Sequence, residues 1–146
     1  METQMSSRER FAWVFLVLLV VSYGTYFTAV AVLDARGELT FWSQIIMLTA
    51  SAVFQGVVLG VSALVGRMRR APGERTEPDE RDRAIAHRSA SVAYYVLMGG
   101  MILVGCIMPF GASGWKVANA AILAIVIAEL VHTGLTVSGY RRGLRA

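Results

Sequence analysis

Four long apolar runs, separated by short polar stretches, dominate the pattern of hydrophobic and polar positions along the chain. Three of them contain no Asp, Glu, Lys or Arg, and the fourth is interrupted only by Glu129. Each run exceeds the ~20 apolar residues that cross a ~30 Å hydrocarbon core as a helix. The pattern predicts an all-α integral membrane protein with four transmembrane helices, which we place at about 11–33, 43–66, 92–110 and 116–139.

The arginines and lysines are unevenly distributed between the polar stretches. Twelve of the 14 lie in the N-terminal segment, in residues 67–91 or in the C-terminal tail, and only Arg36 and Lys116 lie in the two other turns. Basic residues accumulate on the cytoplasmic side of a membrane. We therefore expect cytoplasmic termini, a cytoplasmic segment 67–91, and one antiparallel up-down bundle formed by residues 1–146.

Composition narrows the function classes. Charged residues make up 16% of the chain, against about 25% in soluble proteins. The arginines are expected to meet anionic lipid headgroups, so the net charge of +4 requires no nucleic acid partner. The single cysteine, Cys106, excludes an internal disulfide. No nucleophile–base pattern, phosphate-binding loop or complete metal-ligand set is found, so we expect no catalytic residue, cofactor or metal ion.

Small residues recur every four positions in two of the predicted spans. Apolar burial cannot drive helix association in lipid, so helices associate through close packing at small residues and through interhelical hydrogen bonds. We expect these two sets to be packing seams inside the bundle, and a homodimer face is the alternative for either. They are Ala52, Gly56 and Gly60 in span two, and Ala120, Ala124 and Ala128 in span four.

The fourth span carries an acid and an imidazole three residues apart, Glu129 and His132. A charged carboxylate at the middle of a bilayer costs roughly 2.5–3.5 kcal/mol. We therefore expect Glu129 to point into the bundle, where it bonds to Gln55, His132 or a tyrosine such as Tyr23, or stays protonated. These four residues form a predicted intramembrane polar cluster at one depth.

Three interpretations of this cluster remain open. It is a structural cluster that fixes helix register, a proton- or ion-handling site, or part of a metal site. Glu-x-x-His is half of the ligand pattern of four-helix di-iron proteins. Only one such pair is present, with no further acidic residue in the spans.

The segment "TEPDERDRAIAHR" (76–88) predicts a helix that continues into span three. Thr76 and Asp79 have capping-box spacing, and Pro78 suits a first turn. A helix from Pro78 to Met108 would be about 46 Å long at ~1.5 Å per residue, so its first turns should protrude from the membrane. The predicted interaction motif comprises Asp79, Glu80, Arg81, Asp82 and Arg83.

This motif also has three interpretations. It is an ion-paired, solvated helix start, a docking surface for a cytoplasmic protein, or a divalent-cation site formed by Asp79 and Asp82. The acid precedes the base in the Asp79–Arg83 and Glu80–Arg83 pairs, which is the favourable order on a helix. Arginines within reach of the acids weaken the cation interpretation.

The stretch "DERDRAIAHRSASVAYYVL", the later "GWKVANAAILAIVIAEL" and the terminal "YRRG" carry a family resemblance. The second half of the chain resembles small bacterial inner-membrane proteins, grouped as a domain of unknown function, with an Asp-Glu-Arg-Asp motif before the third span. The resemblance implies four spans and a bacterial cytoplasmic membrane. It implies no activity, so no functional residue is transferred.

Two function hypotheses follow. The first is a non-enzymatic accessory, regulatory or interaction protein, in which Asp79, Glu80 and Asp82 matter most. The second is a small oligomeric proton- or ion-coupled transporter or conduit that uses Glu129 and His132.

Overall fold

The computed structural model describes residues 7–68 and 79–143, and every regular element within these ranges is helical. The long helices are α1 (Ser7–Ala35), α2 (Phe41–Met68), α3 (Glu80–Ile102) and α4 (Gly114–Gly143). α3 continues into a π turn, Leu103–Ile107, and a 3₁₀ turn, Met108–Phe110. Four helices are long and apolar enough to cross a membrane. Within the described ranges, this finding confirms the all-α class and the predicted number of helices long enough to span a membrane.

The helices group into two compact units, Met1–Arg75 and Thr76–Ala146. The first contains α1 packed against α2, and the second contains α3 packed against α4. Membrane orientation, cytoplasmic termini and the assembly of all four helices into a single bundle domain stay predictions.

The turn between α1 and α2 is fixed by two local capping motifs. Gly37 adopts a φ of +70°, and its N–H donates to the Asp34 carbonyl at 3.0 Å. That backbone conformation is open to glycine at little steric cost, which is why helices so often end at one. Thr40 and Ser43 then exchange bonds at the start of α2: the Thr40 N–H donates to Ser43 Oγ at 3.0 Å, and the Ser43 N–H to Thr40 Oγ1 at 3.2 Å.

In the first unit, α1 has a buried stripe and α2 is largely exposed. Ala12, Leu19 and Tyr26, spaced seven residues apart, are buried on α1, whereas Gln44 is the buried residue of α2 among those described. An open apolar groove of about 390 Å³ is lined by residues of both helices, namely Trp13, Val14, Val17, Leu18, Val21, Phe54 and Val58.

In the second unit, α3 and α4 are in close contact. The contacts share one antiparallel register and join Gly100 to Ala124, Ser89 to Thr136, and Ile85 to Gly139. A Cβ built on Gly100 would lie 2.9 Å from the Cβ of Ala124, and one on Gly139 would lie 2.8 Å from Cγ2 of Ile85. Glycine is therefore what allows the two backbones to approach.

The two predicted small-residue seams have different surroundings. On α4, Ala124 and Ala128 are buried, and Ala124 packs against Gly100 of the same chain. On α2, Ala52, Gly56 and Gly60 are all exposed. Among the described residues, no atom lies within 4 Å of a Cβ built on either glycine of that set. A homodimer through one of these faces stays a prediction.

The end of α3 departs from the regular α-helix that the sequence predicted through Met108. Pro109 has no N–H, so it cannot donate to the Gly105 carbonyl, and its ring crowds the preceding turn. The π turn at Leu103–Ile107 and the 3₁₀ turn after it accommodate this break.

Candidate functional site

Glu129 lies at the centre of α4, 15 residues after Gly114 and 14 before Gly143. At ~1.5 Å per residue, the carboxylate is about 21–23 Å along the axis from either end of the helix. If α4 crosses a ~30 Å hydrocarbon core, this position is close to mid-depth.

Glu129 and His132 form a pair on one face of α4, as their spacing predicted. His132 Nδ1 lies 3.8 Å from Glu129 Oε2, a distance that allows an ion pair but exceeds the ~2.7–3.2 Å of a hydrogen bond. The Glu129 side chain is 46% exposed and that of His132 is 39% exposed. The carboxylate is therefore half-exposed in the α3–α4 unit. Its expected orientation into a four-helix bundle stays a prediction.

The position of the α3 contact explains this exposure. α3 packs along the face of α4 that carries Ala124, and Ala128 is also buried. Successive residues on an α-helix are rotated by a third of a turn or slightly less. Glu129 consequently projects from the flank of the seam, beside the helix contact.

The other members of the predicted polar cluster, Tyr23 on α1 and Gln55 on α2, belong to the first unit. Both are partly buried. Their meeting with Glu129 stays a prediction.

A second polar contact lies one turn beyond His132 and joins α4 to α3. Thr136 Oγ1 is 2.8 Å from the His132 carbonyl oxygen and 3.0 Å from Ser89 Oγ. Ser89 Oγ also lies 2.9 Å from the Ile85 carbonyl oxygen. Each hydroxyl has one proton, so one of the two donates to the other, and the accepting hydroxyl donates to the carbonyl of its own helix. Ser89 is only 1% exposed. The predicted polar cluster included neither Thr136 nor Ser89.

Two further buried polar residues, Glu9 and Gln44, were not recognised from the sequence. They are 4% and 5% exposed and lie near the first residues of α1 and α2. Glu9 could have been identified by its spacing, because it lies three residues before Ala12, which begins the buried stripe of α1. This arrangement indicates that helix ends, as well as helix centres, carry buried polar groups in the first unit.

The predicted interaction motif forms the exposed start of α3. Asp79 is the N-cap, and its carboxylate accepts from the Glu80 N–H at 2.8 Å. The predicted helix start is therefore wrong: Asp79 takes the capping role assigned to Thr76, and the helix begins at Glu80. Thr76 and Pro78 lie outside the described residues. Arg83 meets Asp79 through its backbone N–H, at 3.0 Å from the Asp79 carbonyl.

At this helix start, the side chains on one face are at least partly buried and the charged side chains on the other faces are exposed. Asp82, Ile85 and Ser89, spaced three and four residues apart, are partly or fully buried, and the latter two contact α4. The charged side chains on the other faces are exposed, and these are Glu80, Arg81, Arg83 and Arg88.

Within residues 7–68 and 79–143, no three His, Cys, Asp or Glu side chains gather to hold a metal ion. Comparison with protein-family models, curated proteins and solved structures finds no match to this chain. The resemblance noted in the sequence thus rests on the quoted residues alone.

Proposed function

We propose that this chain is a multi-pass protein of the bacterial cytoplasmic membrane that acts through protein partners and not through catalysis. The observation that carries the proposal is the start of α3, where charged side chains are exposed while the helix beneath them is anchored to α4 through Ile85 and Ser89.

Anchoring matters because association is opposed by the entropy of ordering the groups at an interface. A helix that is already capped by Asp79 and packed against α4 presents its charges in a fixed arrangement. Mixed acidic and basic side chains on such a surface favour a partner of complementary charge and select against others. The distribution of arginines supports a cytoplasmic location for this surface.

Photo-cross-linking in living bacterial cells tests the proposal. A photoreactive residue in place of the exposed His87 should capture a specific membrane-associated or cytoplasmic protein. Glu80→Lys combined with Arg83→Glu should reduce that capture about tenfold or more, because reversed charges create repulsion worth more than 1.4 kcal/mol.

The matched control reverses an exposed pair of the same two residue types in the turn after α1, Glu38→Lys with Arg36→Glu. This control should leave the capture through His87 unchanged. Capture that is equal in both double variants, or no captured protein, would overturn the proposal.

A proton- or ion-coupled conduit is the second candidate, favoured by the half-exposed Glu129–His132 pair at the centre of α4. Ionisable residues at membrane depth mark ion and proton pathways in many transporters. Proteoliposomes under a pH gradient should then show a proton flux that Glu129→Gln abolishes. Equal flux from wild type, variant and empty vesicles would eliminate this candidate.

A further inference from the structure

The Glu129–His132 pair leaves two polar atoms without partners near the middle of an apolar helix. The contact within the pair uses Glu129 Oε2 and His132 Nδ1. Within the described part of the α3–α4 unit, Glu129 Oε1 and His132 Nε2 have no hydrogen-bond partner. In hydrocarbon each unsatisfied polar group is strongly unfavourable, and no water is present to satisfy it. A further protein surface is therefore needed over this flank of α4.

The pair offers one donor and one acceptor in the two states in which Nε2 is protonated and one further proton lies between Nδ1 and Oε2. As an ion pair, the imidazolium donates from Nε2 and the carboxylate accepts at Oε1. As a neutral pair, the proton is on Oε2 and faces Nδ1, so that Nε2–H still donates and Oε1 still accepts. The flank therefore presents complementary groups about 4.5 Å apart along the helix axis.

We propose that this flank of α4 binds a second copy of the same chain about a two-fold axis parallel to the membrane normal. In such an interface each patch meets itself, so residue i of one copy contacts residue j of the other and the reverse. Glu129 Oε1 of each copy then accepts from His132 Nε2–H of the other, which gives two equivalent interchain hydrogen bonds.

The second copy is the favoured occupant because acid and base lie on one face and are self-complementary. Ile125, four residues before Glu129, is 49% exposed and extends the same face with an apolar side chain. The Ala124 face is already occupied by Gly100. This inference rests on the proposed function, in which a membrane protein acts through association. It names a second copy of the same chain as one partner.

Cysteine cross-linking in lipid vesicles tests the interface. In a Cys106→Ser background, Ile125→Cys should give a disulfide-linked dimer on mild oxidation. Ile127→Cys is the matched control, because Ile127 is 43% exposed at nearly the same depth but faces another side of α4. Equal cross-linking of both variants, or a monomeric Ile125→Cys variant, would contradict the proposal. In the second case, an intrachain cross-link between cysteines at Glu129 and Gln55 would identify the α1–α2 unit as the occupant.

An exchange experiment tests the atoms themselves. Glu129→His alone and His132→Glu alone place like groups at the interface, and each should lose most of the Ile125→Cys dimer. Co-expression of the two variants with different tags should restore a mixed dimer, because the two histidines of one copy then meet the two glutamates of the other. Dimers from either variant alone, or no gain on mixing, would overturn the reciprocal contact.

The two proposals fail in different ways. A monomeric wild-type chain that still captures a partner through His87 would remove the dimer and leave the proposed function intact. A dimer that depends on Glu129, with no capture through His87, would remove the proposed function and leave the dimer intact.

Discussion

Replacement of Gly100 by valine is expected to force α3 and α4 apart and to lower the free energy of unfolding by about 1–3 kcal/mol, the usual cost of overpacking. The added Cβ would meet the Ala124 Cβ at 2.9 Å. Neither atom is the end of a flexible side chain, so relief requires a movement of the helix backbones. The measurement is equilibrium unfolding of the detergent-solubilised protein followed by circular dichroism.

Gly99→Val is the matched control for this variant. It makes the same chemical change one residue earlier in the same helix, where no described atom lies within 4 Å of a built Cβ. The change in helix propensity is common to both variants and cancels in the comparison. Equal destabilisation by the two variants would show that the Gly100–Ala124 contact is not a determinant of stability.

Replacement of Ser89 by leucine should also destabilise the second unit by about 1–3 kcal/mol, because the larger side chain overpacks a filled site. Ser89 is 1% exposed and lies 3.0 Å from Thr136 Oγ1. Ser91→Leu, on an exposed position two residues further along α3, should change stability by less than about 0.5 kcal/mol. A similar loss in both variants would argue against the α3–α4 contact at this level.

The hydrogen-bond part of the Ser89 effect can be measured separately. In a double-mutant cycle of Ser89→Ala and Thr136→Val, the coupling energy should be about 0.6 kcal/mol and at most about 1.7 kcal/mol, the range for interhelical bonds in a membrane protein. A coupling energy of zero would mean that the two hydroxyls do not bond across the helices.

The charged start of α3 is a part of the candidate site that the local sequence predicted. Exposed charges before an apolar run predicted a helix that continues into the third span, and α3 does so from Glu80. The capping residue was assigned incorrectly, because the three-residue spacing from Thr76 to Asp79 fits a capping box, whereas the Asp79 carboxylate itself caps the helix by accepting from the Glu80 N–H. Spacing alone does not distinguish two nearby capping residues.

For the small residues, the local sequence did not predict which ones contact the neighbouring helix. Gly99 and Gly100 are adjacent and chemically identical, yet Gly100 alone of the two meets Ala124 at close range. Likewise Ser89 and Ser91 are two residues apart, and Ser89 is the one that is buried beside Thr136. Which member of such a pair faces the neighbouring helix depends on the rotation of that helix about its axis.

The sequence by itself determined that the protein consists of four long apolar helices. In hydrocarbon a chain must satisfy its backbone hydrogen bonds internally, and the charge-free runs are long enough to do so as helices. Only the tertiary structure decided the rotation and contacts of each helix, and with them the Gly100–Ala124 seam, the Ser89–Thr136 bond and the half-exposed position of Glu129. The physical reason is that helix rotation is set by steric fit between two surfaces, which no single apolar segment encodes.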